Sequence, residues 1–336
     1  MAGSGDPPSG PSPQIPEPQI WALHDGKIGM ANQVLGLAEA VGWPFIEKRL
    51  DIRAPWCHLT PPLWFQPFAA LGPSGATLAP PWPDLLIGCG RNIVAPAIAV
   101  KRASGGRVFW VHIQDPRFGR GKADLLVVPR HDPAKGTNVL TTLGAVHRVT
   151  PARLEEGARR FAAAYADLPR PLVAVLIGGD NRVYRHAPEQ FAAFVAQLAA
   201  LARRGFGLAI TPSRRTGPEA EALLREKLAG LPVRIWDGAG ENPYFGMLGL
   251  ADAVVVTADS VNMVSEAAAT GKPVHVVPLT GGSAKFARFH QAMEAAGITR
   301  PFRGEIERWS YAPPDDNARA ASLIRERVAR RLEKVA

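Results

Sequence analysis

Cysteine is nearly absent: Cys57 and Cys89 are the only two among 336 residues. They lack CxxC spacing and paired histidines, which argues against a disulfide framework and a zinc site and suits a reducing cytoplasm. No apolar run approaches the roughly 20 residues that a membrane helix requires. The opening stretch "MAGSGDPPSGPSPQIPEPQ" has neither a basic nor an apolar leader segment. It is rich in Pro, Gly and Ser, so residues 1–18 read as a disordered tail rather than a signal. Neither GxGxxG nor GxxxxGK[ST] occurs at the strand-to-helix junctions, so nicotinamide-dinucleotide and P-loop readings lack their fingerprints. Nucleic acid ranks last among partners, because the basic residues are scattered with no aromatic-interleaved basic motif.

What is present fits a globular chain with sizeable cores: 46% of residues are hydrophobic. Thirty-nine basic against 30 acidic side chains give a net charge of +9. That excess suits phosphate-bearing ligands or an acidic membrane surface, and equally the solvated faces of Arg-rich helices.

Short apolar runs alternate with helical periodicity after residue 18. "QIWAL", "DLLIG", "RVFWVHI" and "DLLVV" read as strands, "MANQVLGLAEAVG" and "NIVAPAIAVKRAS" as helices. The Pro- and Trp-crowded segment Pro55–Pro83 is an irregular excursion. A linking helix at 151–170 separates this unit from a second series, in which "PLVAVLIGG", "FGLAIT", "VRIW" and Ala253–Val256 are strands between helical segments. Repeated βα units imply parallel sheets with helices on both faces. The expected architecture is α/β: two doubly wound, Rossmann-like domains at 19–150 and 171–312, then a closing segment at 313–336 that packs back on the first domain.

In open parallel sheets ligands bind beyond the carboxyl ends of the strands, where helix N-termini present unpaired N–H groups. Five junctions stand out. "ALHDGKIGMANQ" puts His24, Asp25, Lys27, Asn32 and Gln33 between the first strand and first helix; Asp25 could take a proton from an acceptor hydroxyl. "HIQDPR" adds Gln114, Asp115 and Arg117 to that acceptor side. "VLIGGDNRVYR" supplies Gly178 and Gly179 for close backbone approach, with Asn181 and Arg182 as polar contacts. "LAITPSRRTGPEAE" sets Ser213, Arg214, Arg215 and Thr216 before a helix as a diphosphate cradle. In "ADSVNMVSE", Ser260 and Asn262 fall near a helix N-terminus, and an acidic side chain on that face, Asp259 or Glu266, can accept from a ribose diol. Each junction also has a plainer reading as a cap or tight turn.

Taken in order, "HDGKIGMANQVLGLAEAVG", "IQDPR", "IGGDNRVYR", "TPSRRT" and "TADSVNMVSEAAATGKPV" resemble the bacterial relatives of the plant mitochondrial-fission ELM-type proteins. That family is similar in turn to GT-B glycosyltransferases. The resemblance implies two domains facing a central cleft, a nucleotide-sugar donor on the C-terminal one and an acceptor on the N-terminal one. It assigns the ribose to Glu266, the nucleotide loop to Gly178 and Gly179, the diphosphate to Ser260 and Asn262, and the catalytic base to Asp25. The first loop, "DGKIG", departs from the double-glycine-His loop of the muramyl-lipid enzyme. No cofactor and no metal is expected, since no strand-end DxD is present to hold a divalent ion.

The leading expectation is a metal-independent inverting glycosyltransferase in the cytoplasm, at the inner face of a membrane, using a nucleotide-sugar donor and a lipid or envelope acceptor. The Trp56–Trp82 excursion would suit peripheral membrane contact, or serve as ordinary core. Two other readings are a nucleotide-sugar epimerase of GT-B architecture and a non-catalytic adaptor related to the fission proteins.

Overall fold

The computed structural model describes residues 18–333, so the expected N-terminal tail lies almost wholly outside the described residues. The first sheet is built from β1 (Ile20–His24), β2 (Phe45–Arg49), β3 (Leu85–Cys89), β4 (Phe109–Ile113), β5 (Leu125–Pro129) and β6 (Val139–Thr142). All pairings are parallel and the order is β2-β1-β3-β4-β5-β6. Helices α1 (Ile28–Val41) and α2 (Arg91–Ala103) cover its two faces. Every residue of β1, β3, β4 and β5 is buried, as expected of strands covered on both sides.

Helix α3 (Pro151–Phe161) leads into the second domain. There β7 (Leu172–Ile177), β8 (Tyr184–Arg185), α4 (Pro188–Arg203), β9 (Gly207–Pro212), α5 (Pro218–Lys227), β10 (Val233–Ile235) and α6 (Tyr244–Leu250) follow in turn. They continue into β11 (Ala253–Thr257), α7 (Val261–Ala268), β12 (Val274–Val277), β13 (Thr280–Gly281), α8 (Ala284–Ala295) and β14 (Thr299–Pro301). The second parallel sheet runs β10-β9-β7-β11-β12-β14, while β8 and β13 form a separate antiparallel pair. Strand β11 is the run Val254, Val255 and Val256, each fully buried, worth roughly 1.5–3 kcal/mol per side chain.

Three elements extend the pattern read from sequence: β6, α8 and β14. The last helix, α9 (Asp316–Leu332), lies against α1, and its Ala320, Ala321, Ile324 and Val328 enter the core of the first sheet. The chain therefore returns to its first domain after building its second. Each sheet has one point where the strand order reverses, between β1 and β3 in the first and between β7 and β11 in the second. Those points define where a ligand crevice opens.

Candidate functional site

The first switch point is spanned by a hydrogen bond. Asp25 follows β1 and Asn92 opens α2 beyond β3; Asn92 Nδ2 donates to Asp25 Oδ2 at 3.0 Å. Lys27 donates to the same oxygen. Oδ1 of Asp25 is buried and has no partner among the described residues, although the side chain is only 7% exposed. A buried carboxylate oxygen without a donor is costly, so it marks a place where an incoming hydroxyl would be accepted. Asp25 lines a cavity of about 200 Å³ with Arg49, Asp51, Ser74 and Asn92.

Local structure fixes this loop. Gly26 adopts φ +79°, a conformation that favours glycine, and its N–H donates to His24 Nδ1 at 3.1 Å. His24 is itself buried and bonded through Nε2 to Glu47 at 2.8 Å, so it positions the loop and is not presented to the cleft. Neither α1 nor α2 has a side-chain cap or an acidic residue in its first turn. Their N-terminal amides remain available beside Asp25.

The second switch point is tied more tightly. Asp259, after β11, is fully buried and accepts from Gly179 N (3.1 Å), Thr257 Oγ1 (2.6 Å) and Arg215 Nη2 (2.7 Å). The Asp259 carboxylate presses on Gly178, where a Cβ would collide with it. This overturns the ribose-diol role for Asp259, because its acceptor capacity is consumed inside the loop. Arg215 also donates to the Gly179 carbonyl at 3.0 Å, so its guanidinium ties the β9 loop to the β7 loop. Thr216 is buried and donates to the Gly178 carbonyl at 2.5 Å; Ser213 accepts from Arg215 N at 3.2 Å. Arg214 and Arg182 are exposed. Asn181 clamps its own turn, accepting from Val183 N and Tyr184 N and donating to the Asp259 carbonyl at 3.1 Å. Ser260 caps α7 by accepting from Met263 N at 3.3 Å.

The two domains meet through α1 and α7. Gln33 Nε2 donates to Asn262 Oδ1 at 3.0 Å, and Asn262 Nδ2 donates to the Gly29 carbonyl at 3.1 Å. Gln114 reaches Gln33 at 3.4 Å. Glu266, expected on the face turned from the sheet, is buried: it accepts from Tyr244 Oη at 2.6 Å and from Asn32 across the domains. Burial raises its carboxyl to about 7, against the two hydrogen bonds that favour the charged form. Two further bridges join the domains, Lys285 to Asp132 at 2.6 Å and Arg288 to the His131 carbonyl at 3.2 Å.

Asp115 is held below the usual carboxylate range: Arg120 gives two charge-assisted hydrogen bonds at 2.7 and 2.6 Å, outweighing its burial. Arg117 contributes only its backbone N–H to Asp115, at 2.9 Å. Gln114 and Arg117 have φ of +71° and +59°, so this loop stores backbone strain at the cleft edge. Sequence reasoning missed Asn92 and Tyr244. Asn92 sits in "GCGRN", a strand-to-helix junction of the kind searched elsewhere; Tyr244 carries no local signal.

Known proteins share this fold. The structure resembles the UDP-GlcNAc 2-epimerase of Methanocaldococcus jannaschii, with a TM-score of 0.56 and 11% identity over 93% of this chain and 99% of that one. It likewise resembles the glycotransferase of kitacinnamycin, at a TM-score of 0.50 and 15% identity over 95% and 94%. The fold is thus GT-B-like, shared by glycosyltransferases and epimerases. The Arabidopsis thaliana mitochondrial fission protein ELM1 is 34% identical over 277 residues, which is 74% of this chain and 65% of that protein. The chain therefore spans just under two thirds of that relative's length. The family model described as "Mitochondrial fission ELM1" matches residues 28–328, and the chain belongs to that family.

Proposed function

We propose that this protein is a metal-independent inverting glycosyltransferase. It moves a sugar from a nucleoside diphosphate in the cleft to an acceptor hydroxyl on the first domain. The observation that carries the reading is the buried, unpartnered Oδ1 of Asp25 beside a cavity at the β1/β3 switch point. The acceptor O–H gives its proton to that oxygen, and the acceptor oxygen bonds to the anomeric carbon from the face opposite the diphosphate. The sugar–diphosphate bond breaks and the leaving oxygen keeps the electron pair. Arg182 and Arg214, exposed on the second-domain loops after β7 and β9, meet the developing charge. Glu266 holds the ribose once Asn32 gives way, and Gly178 and Gly179 lie under the nucleotide.

Membrane work is part of the proposal. Phe65 is 90% and Leu63 48% exposed on the excursion. Arg53 and Arg91 brace the same segment through the Ala69 and Cys57 carbonyls. Apolar tips flanked by cations suit an anionic bilayer at the cytoplasmic face. Within the excursion Trp64, Ala70 and Leu78 are core, with Trp64 and Ala70 in one cluster with Ala95.

The test incubates the protein with UDP-, GDP-, ADP- and CMP-sugars in EDTA, with and without a membrane extract, and analyses products by mass spectrometry. Acceptor-dependent nucleotide release that falls roughly 100-fold or more in Asp25→Asn supports the reading. An altered sugar formed without acceptor establishes the epimerase. No turnover, with cellular function intact in Asp25→Asn and Glu266→Ala, establishes the adaptor.

A further inference from the structure

The cavity beside Asp25 has a second charged group without a protein partner, the solvent-exposed Arg49. Arg49 ends β2 and its guanidinium lies across Gly26, where a Cβ would stand 2.9 Å from Nε. The loop glycine thus makes room for Arg49 against the cavity wall. Among the described residues Lys27 pairs with Asp25, while Asp51 accepts from the neutral Ser74 Oγ at 2.5 Å. Arg49 has no carboxylate or carbonyl acceptor for its guanidinium there.

Two open positions therefore face one small polar space. Asp25 Oδ1 has no donor, and the exposed Arg49 guanidinium is free to give two N–H bonds to an anion. Only Leu50 and Ile52 contribute apolar lining, so the volume suits a head group rather than a hydrocarbon chain.

We propose that the acceptor is a hydroxyl compound bearing a phosphate, with the anion on Arg49 and the hydroxyl on Asp25 Oδ1. This rests on the transferase reading for its consequence, but binding itself requires no donor. A neutral sugar would leave Arg49 unanswered, whereas a hydroxylated phosphate satisfies both groups at once. A free phosphate ester and a lipid head group both present this chemistry.

Calorimetric titration of the full chain, without nucleotide, uses glycerol 3-phosphate against glycerol. Flotation uses vesicles of phosphatidylglycerol against phosphatidylcholine. Glycerol 3-phosphate is expected to bind where glycerol does not, with affinity falling about tenfold or more in Arg49→Gln and partly retained in Arg49→Lys. Binding of the vesicles alone, lost in Arg49→Gln, assigns the site to a lipid head group; binding of both assigns the shared chemistry. Equal response to the charged and neutral members of both pairs, or wild-type affinity in a folded Arg49→Gln, overturns the proposal. Binding without any sugar transfer would sink the transferase reading and leave this site standing; transfer to a neutral acceptor without phosphate binding does the reverse.

Discussion

Gln33 and Asn262 hydrogen-bond across the cleft at 3.0 Å, joining the first helix of one domain to the helix after β11 of the other. Gln33 is 2% exposed, so loss of Asn262 leaves its buried Nε2 with one acceptor fewer and only the 3.2 Å bond to the Gly29 carbonyl. Asn262→Ala also removes one of the two side-chain donors to that carbonyl. The variant should lose about 1–3 kcal/mol in urea unfolding and show faster amide exchange in the first turns of α1. Unchanged stability and exchange would mean that the interdomain contact is not held this way in solution.

Glu266 makes stability depend on pH. Its carboxyl is raised from 4.5 to about 7, so the folded chain keeps a proton that the unfolded chain releases. The contribution is fully present below about 4.5 and is lost as pH rises toward 7, amounting to at most about 3 kcal/mol. Histidines 131 and 147, pushed down to about 4 by burial, act in the opposite sense and weaken the fold as pH falls below 6.5. Glu266→Gln should melt close to wild type at pH 5 and at least about 3 °C above it at pH 8. A constant difference across that range would contradict the assignment.

Arg214 and Arg215 are neighbours with different work. Arg214 is exposed, whereas Arg215 neutralises the fully buried Asp259. Arg215→Ala should cost about 2 kcal/mol, a value reduced because the guanidinium side of the pair is 43% exposed, and Arg214→Ala less than about 0.5 kcal/mol. Equal losses in chemical denaturation would show that the loop is not tied through Asp259.

Helix α9 should unfold with the first domain. Ile324 is fully buried in the core beneath α1, and Ile324→Ala should cost about 2–5 kcal/mol. Exchange protection should fall in β1 and α1 before it falls in β7 and β11. Selective loss in the second sheet would contradict that packing.

The fold was legible because βα alternation leaves a repeated signature: apolar runs that are buried whole, each followed by a helix ending in turn residues. Strand β11 and Gly42, in the left-handed region after α1, are examples. Element β6 was not, since "VLTT" at a sheet edge is short and half exposed. At the two switch points, sequence marked the strand-to-helix junctions but not the directions of their side chains. Asp259 and Glu266 were both visible as carboxylates near one helix start. Both turn into the protein, onto Arg215 and Tyr244, whose sequence separations of 44 and 22 residues no local pattern encodes. Asn92 was lost for the same reason: its partner Asp25 is 67 residues away and adjacent only because β3 lies beside β1.

The most direct test is calorimetric titration of UDP, GDP, ADP and CMP into the wild-type chain and Glu266→Ala, in EDTA. The account predicts that at least one nucleotide binds the wild type in the micromolar to millimolar range, and that removing the carboxylate weakens it about tenfold or more. Binding of none of the four, or equal binding by both proteins, would contradict a nucleotide held in this cleft.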